Sequence, residues 1–82
     1  MNKWEVLYKV LVKRFLKKSV WSTDAMNLAK TIQLNEQYPS VVVRKVESAV
    51  NKINKKTGLN ISLVVKRPRN GKALLTFIKT DS

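Results

Sequence analysis

The chain contains no cysteine and no histidine. The first absence excludes disulfide staples. Together they remove the usual zinc ligands and the ordinary general base near neutral pH. Carboxylates are scarce, five against 17 Lys and Arg, and they are scattered at Glu5, Asp24, Glu36, Glu47 and Asp81. A two-metal nuclease needs them clustered. A rolling-circle nicking enzyme could draw its nucleophile from Tyr8 or Tyr38, but no histidine is present to hold its metal. No enzymatic activity and no cofactor are therefore expected. Apolar runs are short, well below the ~20 residues of a membrane span. Met1 to Ser19 is charged throughout and lacks a small-residue cleavage site, so no secretory leader is expected. Internal repeats, linkers and low-complexity segments are also missing. The expectation is one domain, 1–82, suited to a reducing cytoplasm. A domain of this size buries only roughly 60–65% of its unfolded surface, so its core is thin.

What the chain has in abundance is positive charge, +12 at pH 7. Such an excess bears on partners and solubility rather than on fold. Nucleic acid is the first candidate partner, an anionic membrane surface the second, and an acidic protein the third.

Apolar spacing predicts a first helix over Met1 to Lys18, with Trp4, Leu7, Tyr8, Leu11 and Phe15 as its buried stripe. Lys9, Lys13, Arg14, Lys17 and Lys18 load its flanks and last turn, where cations favour the helix dipole. Val6 and Leu16 fall outside the stripe, which calls for cover from beyond a single core. Ser19 to Ser22 reads as a brief extended segment. Ser22 or Thr23 then caps a second helix with Asp24 in its first turn. Ala25, Met26, Leu28, Ala29 and Ile32 form its buried side, and it ends near Ile32. Pro39 biases Tyr38 away from helical angles and itself suits a first helical position.

A third helix follows over Pro39 to Lys56, with Val42, Val43, Val46, Ala49, Val50 and Ile53 inward. At about 100° per residue its opposite side collects Arg44, Ser48, Asn51 and Lys55, with Lys52 beside them. Gly58 is placed to end it in the left-handed conformation. Asn60 to Lys79 reads as a hairpin, in which Ile61, Leu63 and Val65 alternate against Ala73, Leu75 and Phe77. A two-residue turn at Asn70-Gly71 would set Leu63 against Ile78. A three-residue loop over Arg69 to Gly71, with Gly71 left-handed, sets Leu63 against Phe77 and Val65 against Leu75. The second register is preferred, because it keeps both apolar sets on one face and a one-residue slip would undo that.

The expected class is α+β: three helices, a short strand, and a C-terminal two-stranded hairpin whose tip carries Lys66, Arg67, Arg69 and Lys72. Two helices joined by a short turn, the second with an outward polar face, make a helix-turn-helix, and the basic hairpin completes the layout of a winged helix. The segment Tyr38…Arg44-Lys45-Val46…Ala49-Val50…Ile53-Asn54…Thr57-Gly58-Leu59-Asn60-Ile61, together with Leu75-Thr76-Phe77-Ile78, resembles a winged-helix unit of the theta-type plasmid replication initiators, the Rep proteins. The likeness covers roughly residues 38 to 79. Those initiators join two such units, whereas this chain holds one. The resemblance implies a DNA-binding module of plasmid or phage type, acting in replication initiation or copy control. A small transcriptional regulator of the same fold is the alternative.

The candidate contacts to double-stranded DNA are Arg44, Lys45, Ser48, Asn51, Lys52, Lys55, Lys66, Arg67, Arg69 and Lys72. Long cations suit phosphate or guanine, an amide suits adenine, and a hydroxyl suits either. From Arg44 to Lys72 the sequence has nine cations, the foregoing eight with Lys56, and one carboxylate, Glu47. A hairpin needing only solubility would more often mix its signs. Two other classes compete. The basic amphipathic first helix could lie on a membrane surface, and a dimeric regulator could use Val6 and Leu16 as its contact. RNA is disfavoured, because no aromatic residue stands among the basic strand positions to stack bases. No small-molecule ligand is evident.

Overall fold

Val42, Val43, Val46, Val50 and Ile53 are all buried, and they form the inner side of the longest helix, α3, Pro39–Thr57. The computed structural model describes residues 2–67 and 72–80. In chain order the other elements are α1, Lys3–Phe15; β1, Val20–Asp24; α2, Ala25–Thr31; β2, Ile61–Lys66; and β3, Leu74–Lys79. The molecule is α+β, three helices with a three-stranded antiparallel sheet of order β1-β3-β2. Among the described residues no helix is long and apolar enough to cross a membrane.

Helix α1 is shorter than its apolar spacing predicts. It closes at Leu16, and the amides of Lys17 and Lys18 both turn back onto the Arg14 carbonyl, at 3.2 and 3.3 Å. The next residues leave for the sheet. Leu7 and Leu11 are fully buried, with Trp4, Tyr8 and Phe15 packed around them. Val6 also packs against this core and needs no cover from outside, whereas Leu16 is 81% exposed.

The brief extended segment is a full strand, and its partner is the chain's last strand. Trp21 sits opposite Phe77 and Thr23 opposite Leu75. This pairing decides the cap of α2. Ser22 and Thr23 are strand residues, and the Ser22 hydroxyl hydrogen-bonds that of Thr76 at 2.9 Å. The cap passes to Asp24, whose carboxylate accepts from the amides of Met26 and Asn27. The Ala25 amide donates to the Ala73 carbonyl at 2.8 Å, tying the start of α2 to the hairpin.

Helix α2 ends in a Schellman arrangement: the Leu34 amide donates to Ala29 and that of Gln33 to Lys30. This requires a left-handed residue, and the position is filled by Gln33 at φ 58 rather than by glycine. Leu34 packs on the core and holds the turn in place. Helix α3 also ends on a left-handed residue, Gly58 at φ 74, whose amide donates to the Asn54 carbonyl, while the Leu59 amide turns to the Thr57 hydroxyl. A β-carbon at Gly58 would meet nothing within 4 Å. Backbone strain alone then separates the two sites. Gln33→Gly is expected to stabilise the fold by about 0.5–1 kcal/mol, and Gly58→Ala to destabilise it by about 1 kcal/mol. Thermal melts of both variants check this. Shifts of the same sign would show that the two ends do not share one cause.

The hairpin has the register that keeps its apolar residues together: Leu63 faces Phe77 and Val65 faces Leu75. Its base is pinned from both sides. The Lys79 amide donates to Ser19, and the amide and hydroxyl of Thr80 both donate to Asn60. The expected loop over Arg69 to Gly71 lies outside the described residues. On the core side, Phe77 and Leu75 are fully buried. The outward side of the sheet shows Val20, Val64 and Leu74 to solvent.

Candidate nucleic-acid interface

The outward side of α3 is built by default from the burial of its inner side. Five buried side chains fix the helix's rotation, so the residues about half a turn away must project. Arg44, Ser48, Asn51 and Lys55 form that outermost row, and all four are exposed. Lys52 is exposed on the flank nearest α1. It borders a cleft with Lys3, Trp4, Lys45, Ser48 and Ala49. On the other flank Asn51 and Glu47 border a shallow hollow with Ile61 and Leu63. The outward row is thus a ridge with a depression on either side.

Two interactions set how this ridge stands relative to the sheet. The Asn54 side chain donates to the Ile61 carbonyl and accepts from the Ile61 amide, both at 3.0 Å. It behaves as a strand neighbour would, saturating the first residue of β2 from within a helix. Thr57 adds a bond to the Ile53 carbonyl, and its hydroxyl accepts from the Leu59 amide. The α3–β2 junction is therefore rigid, and β2 runs back alongside the helix. Lys66 and Arg67 at its far end are exposed, as is Lys72 where the chain returns. Arg69 lies outside the described residues.

Lys45 departs from the expectation of a cation free to meet a ligand. Although exposed, its ammonium pairs with the Glu36 carboxylate at 2.5 Å. The loop before α3 brings Glu36 back over the helix's first turns. Nothing in the spacing of the two residues signals this. The pair offsets part of the charge of Lys45, and the other cations along the helix are Arg44, Lys52 and Lys55, with Lys56 at the end. Arg44 and Lys52 make no ion pair with Glu47 among the described residues.

Two residues enter the site that the helical pattern alone does not select. Lys3, some forty residues away in sequence, donates to the carbonyls of Ile32 and Gln33 at the end of α2. That anchors its positive charge in the cleft beside Lys45 and Lys52. Tyr38, immediately before α3, is 65% exposed, so its ring projects at the leading end of the ridge. The turn after α2 and the Pro39 start together place it there.

No family profile, characterised protein sequence or solved structure matches the chain.

Proposed function

We propose that the protein binds double-stranded DNA as a single winged helix, α3 entering the major groove while the β2–β3 tip reaches the neighbouring backbone or minor groove. The observation that carries this reading is the outward row of α3, with Arg44, Ser48, Asn51 and Lys55 all exposed on a helix locked by its buried side. A major groove admits a helix of this kind, and the row offers donors and acceptors suited to base edges. A merely solvated face would also be exposed. What favours recognition is the one-sided charge: cations continue onto the hairpin at Lys66, Arg67, Arg69 and Lys72 without a carboxylate. The order of elements and a sheet with β3 at its centre also suit a winged helix.

In this reading Arg44, Asn51 and Ser48 read bases, Lys52 and Lys55 flank them, and the tip residues hold phosphate. Lys45 contributes once its link to Glu36 is broken. Catalysis has no part in it. A role in plasmid or phage replication, rather than in transcriptional control, rests on the resemblance of residues 38 to 79 to replication initiators.

The test is selection of bound duplexes from a random pool, followed by variants. Asn51→Ala is expected to change the preferred sequence. Arg67→Ala is expected to weaken all sequences by a similar factor and reduce the salt slope by about one. Equal effects from the two would reduce α3 to part of a general basic surface. A pool with no enriched site would remove sequence reading altogether.

A further inference from the structure

Apart from Lys3, the cations of α1 and of the turn after it lie outside the interface on α3. Between Glu5 and Asp24 the chain has Lys9, Lys13, Arg14, Lys17 and Lys18 and no carboxylate. The fold gathers Lys13, Arg14, Lys17 and Lys18 around one open hollow, together with Val10, Val20, Trp21 and Thr31. Lys17 and Lys18 are held there by backbone, since both amides close onto the Arg14 carbonyl. Arg14 in turn lies over the Trp21 ring, 5.0 Å from its centroid, and Trp21 is stacked on Phe77 beneath it. The guanidinium thus rests against a partly buried ring, while Arg14 itself stays exposed. No lining residue of this hollow belongs to α3 or to the hairpin.

We propose that this hollow is a second phosphate-backbone site, able to hold a second DNA duplex while α3 holds the first. The proposal rests on the DNA-binding reading of α3. Shape and chemistry both favour a nucleic-acid strand. A depression rimmed by four cations receives the ridge of a phosphodiester backbone; the exposed Leu16 and Val20 beside it are why anionic vesicles enter the test. The Trp21 ring is already engaged by Arg14 and Phe77, so contact is to phosphate, without sequence preference. Lys13, the nearest of the hollow's lysines, stands ten residues along α1 from Lys3, about 15 Å away. That exceeds one Debye length at about 0.1 M salt, so removing the hollow's charges is expected to change affinity at α3 only modestly.

A bridging assay tests this. A duplex carrying the selected site is fixed to beads, protein is added, and retention of a second, fluorescent duplex is measured at about 0.1 M salt. Wild type is expected to retain the second duplex. The triple variant Lys13→Gln, Lys17→Gln, Lys18→Gln alters only exposed side chains, so the fold is kept. It is expected to lose at least tenfold of that retention while its affinity for the fixed duplex changes less than about threefold. Bridging that persists in the triple variant overturns the proposal and points to self-association as the bridge. An absence of bridging in wild type, with the first duplex bound, overturns it too. Binding to anionic vesicles that depends on the three lysines, without bridging, reassigns the hollow to a membrane surface. Failure to bind the first duplex at all refutes the reading of α3 instead.

Discussion

Replacing Phe77 with alanine is expected to lower the melting temperature by roughly 15–50 °C, leaving little folded protein at 37 °C. Phe77 is fully buried on the central strand. It faces Trp21 on one neighbour and Leu63 on the other, with the Trp21 ring stacked at 5.6 Å. Truncating such a residue costs about 3–5 kcal/mol for transfer and cavity together. The aromatic pair adds about 0.5–1.5 kcal/mol. A chain of 82 residues has a total stability of only about 4–12 kcal/mol by the usual per-residue range. At roughly 4–8 °C per kcal/mol for a domain of this size, the loss translates into the stated shift. Val64→Ala on the outward side of the same sheet, at a position 40% exposed, is expected to stay within about 0.5 kcal/mol. Circular dichroism melts of both variants decide the matter. A Phe77→Ala shift below about 5 °C would mean that the sheet is not packed around this ring.

That contrast bears on what could be read from residues alone. The hairpin register was legible because both strands alternate, and sliding either by one residue exposes three apolar side chains. The pairing of β1 was not. Val20 to Asp24 is too short to declare a partner, and Phe77 lies more than fifty residues downstream. The cap of α2 was misplaced for the same reason. Ser22, Thr23 and Asp24 are three consecutive capping residues, and only the sheet's claim on the first two leaves the third to cap. The left-handed Gln33 was invisible, because its conformation comes from the burial of Leu34 and not from any preference of glutamine.

Duplex affinity is expected to fall about a thousandfold between roughly 50 and 200 mM salt, a log–log slope near −5. The cations that the DNA-binding reading leaves to phosphate, Lys52, Lys55, Lys66, Arg67, Arg69 and Lys72, make about six contacts, each adding about −0.9 to the slope. Lys45 is left out because Glu36 holds it. The count therefore makes a second statement. Glu36→Gln releases Lys45 and is expected to steepen the slope by about one while tightening binding at low salt. Fluorescence anisotropy across a salt series measures both slopes. A slope shallower than about −2 would leave too few phosphates contacted for this surface to be the interface. An unchanged slope in Glu36→Gln would mean that Lys45 faces away from the duplex.

In the candidate interface, the outward row followed from helical periodicity, since burying one side of α3 dictates the other. The neutralisation of Lys45 and the arrival of Lys3 did not. Both depend on how the turn between α2 and α3 folds back, and that turn follows from the Schellman ending at Gln33 and the start at Pro39. Sequence spacing describes a helix well and a loop's return path poorly.

The Asn54 bonds to Ile61 and the Thr80 bonds to Asn60 lie at the same end of the hairpin, away from its tip. Strand alignment is thus indexed from the helix outward, much as a ruler is read from its fixed end. Substitutions at Lys66, Arg67 or Lys72 are therefore expected to leave the alignment of Leu63 with Phe77 in place. If α3 and these cations meet DNA as proposed, the backbone contacts can change in sequence while the helix stays tied to the scaffold.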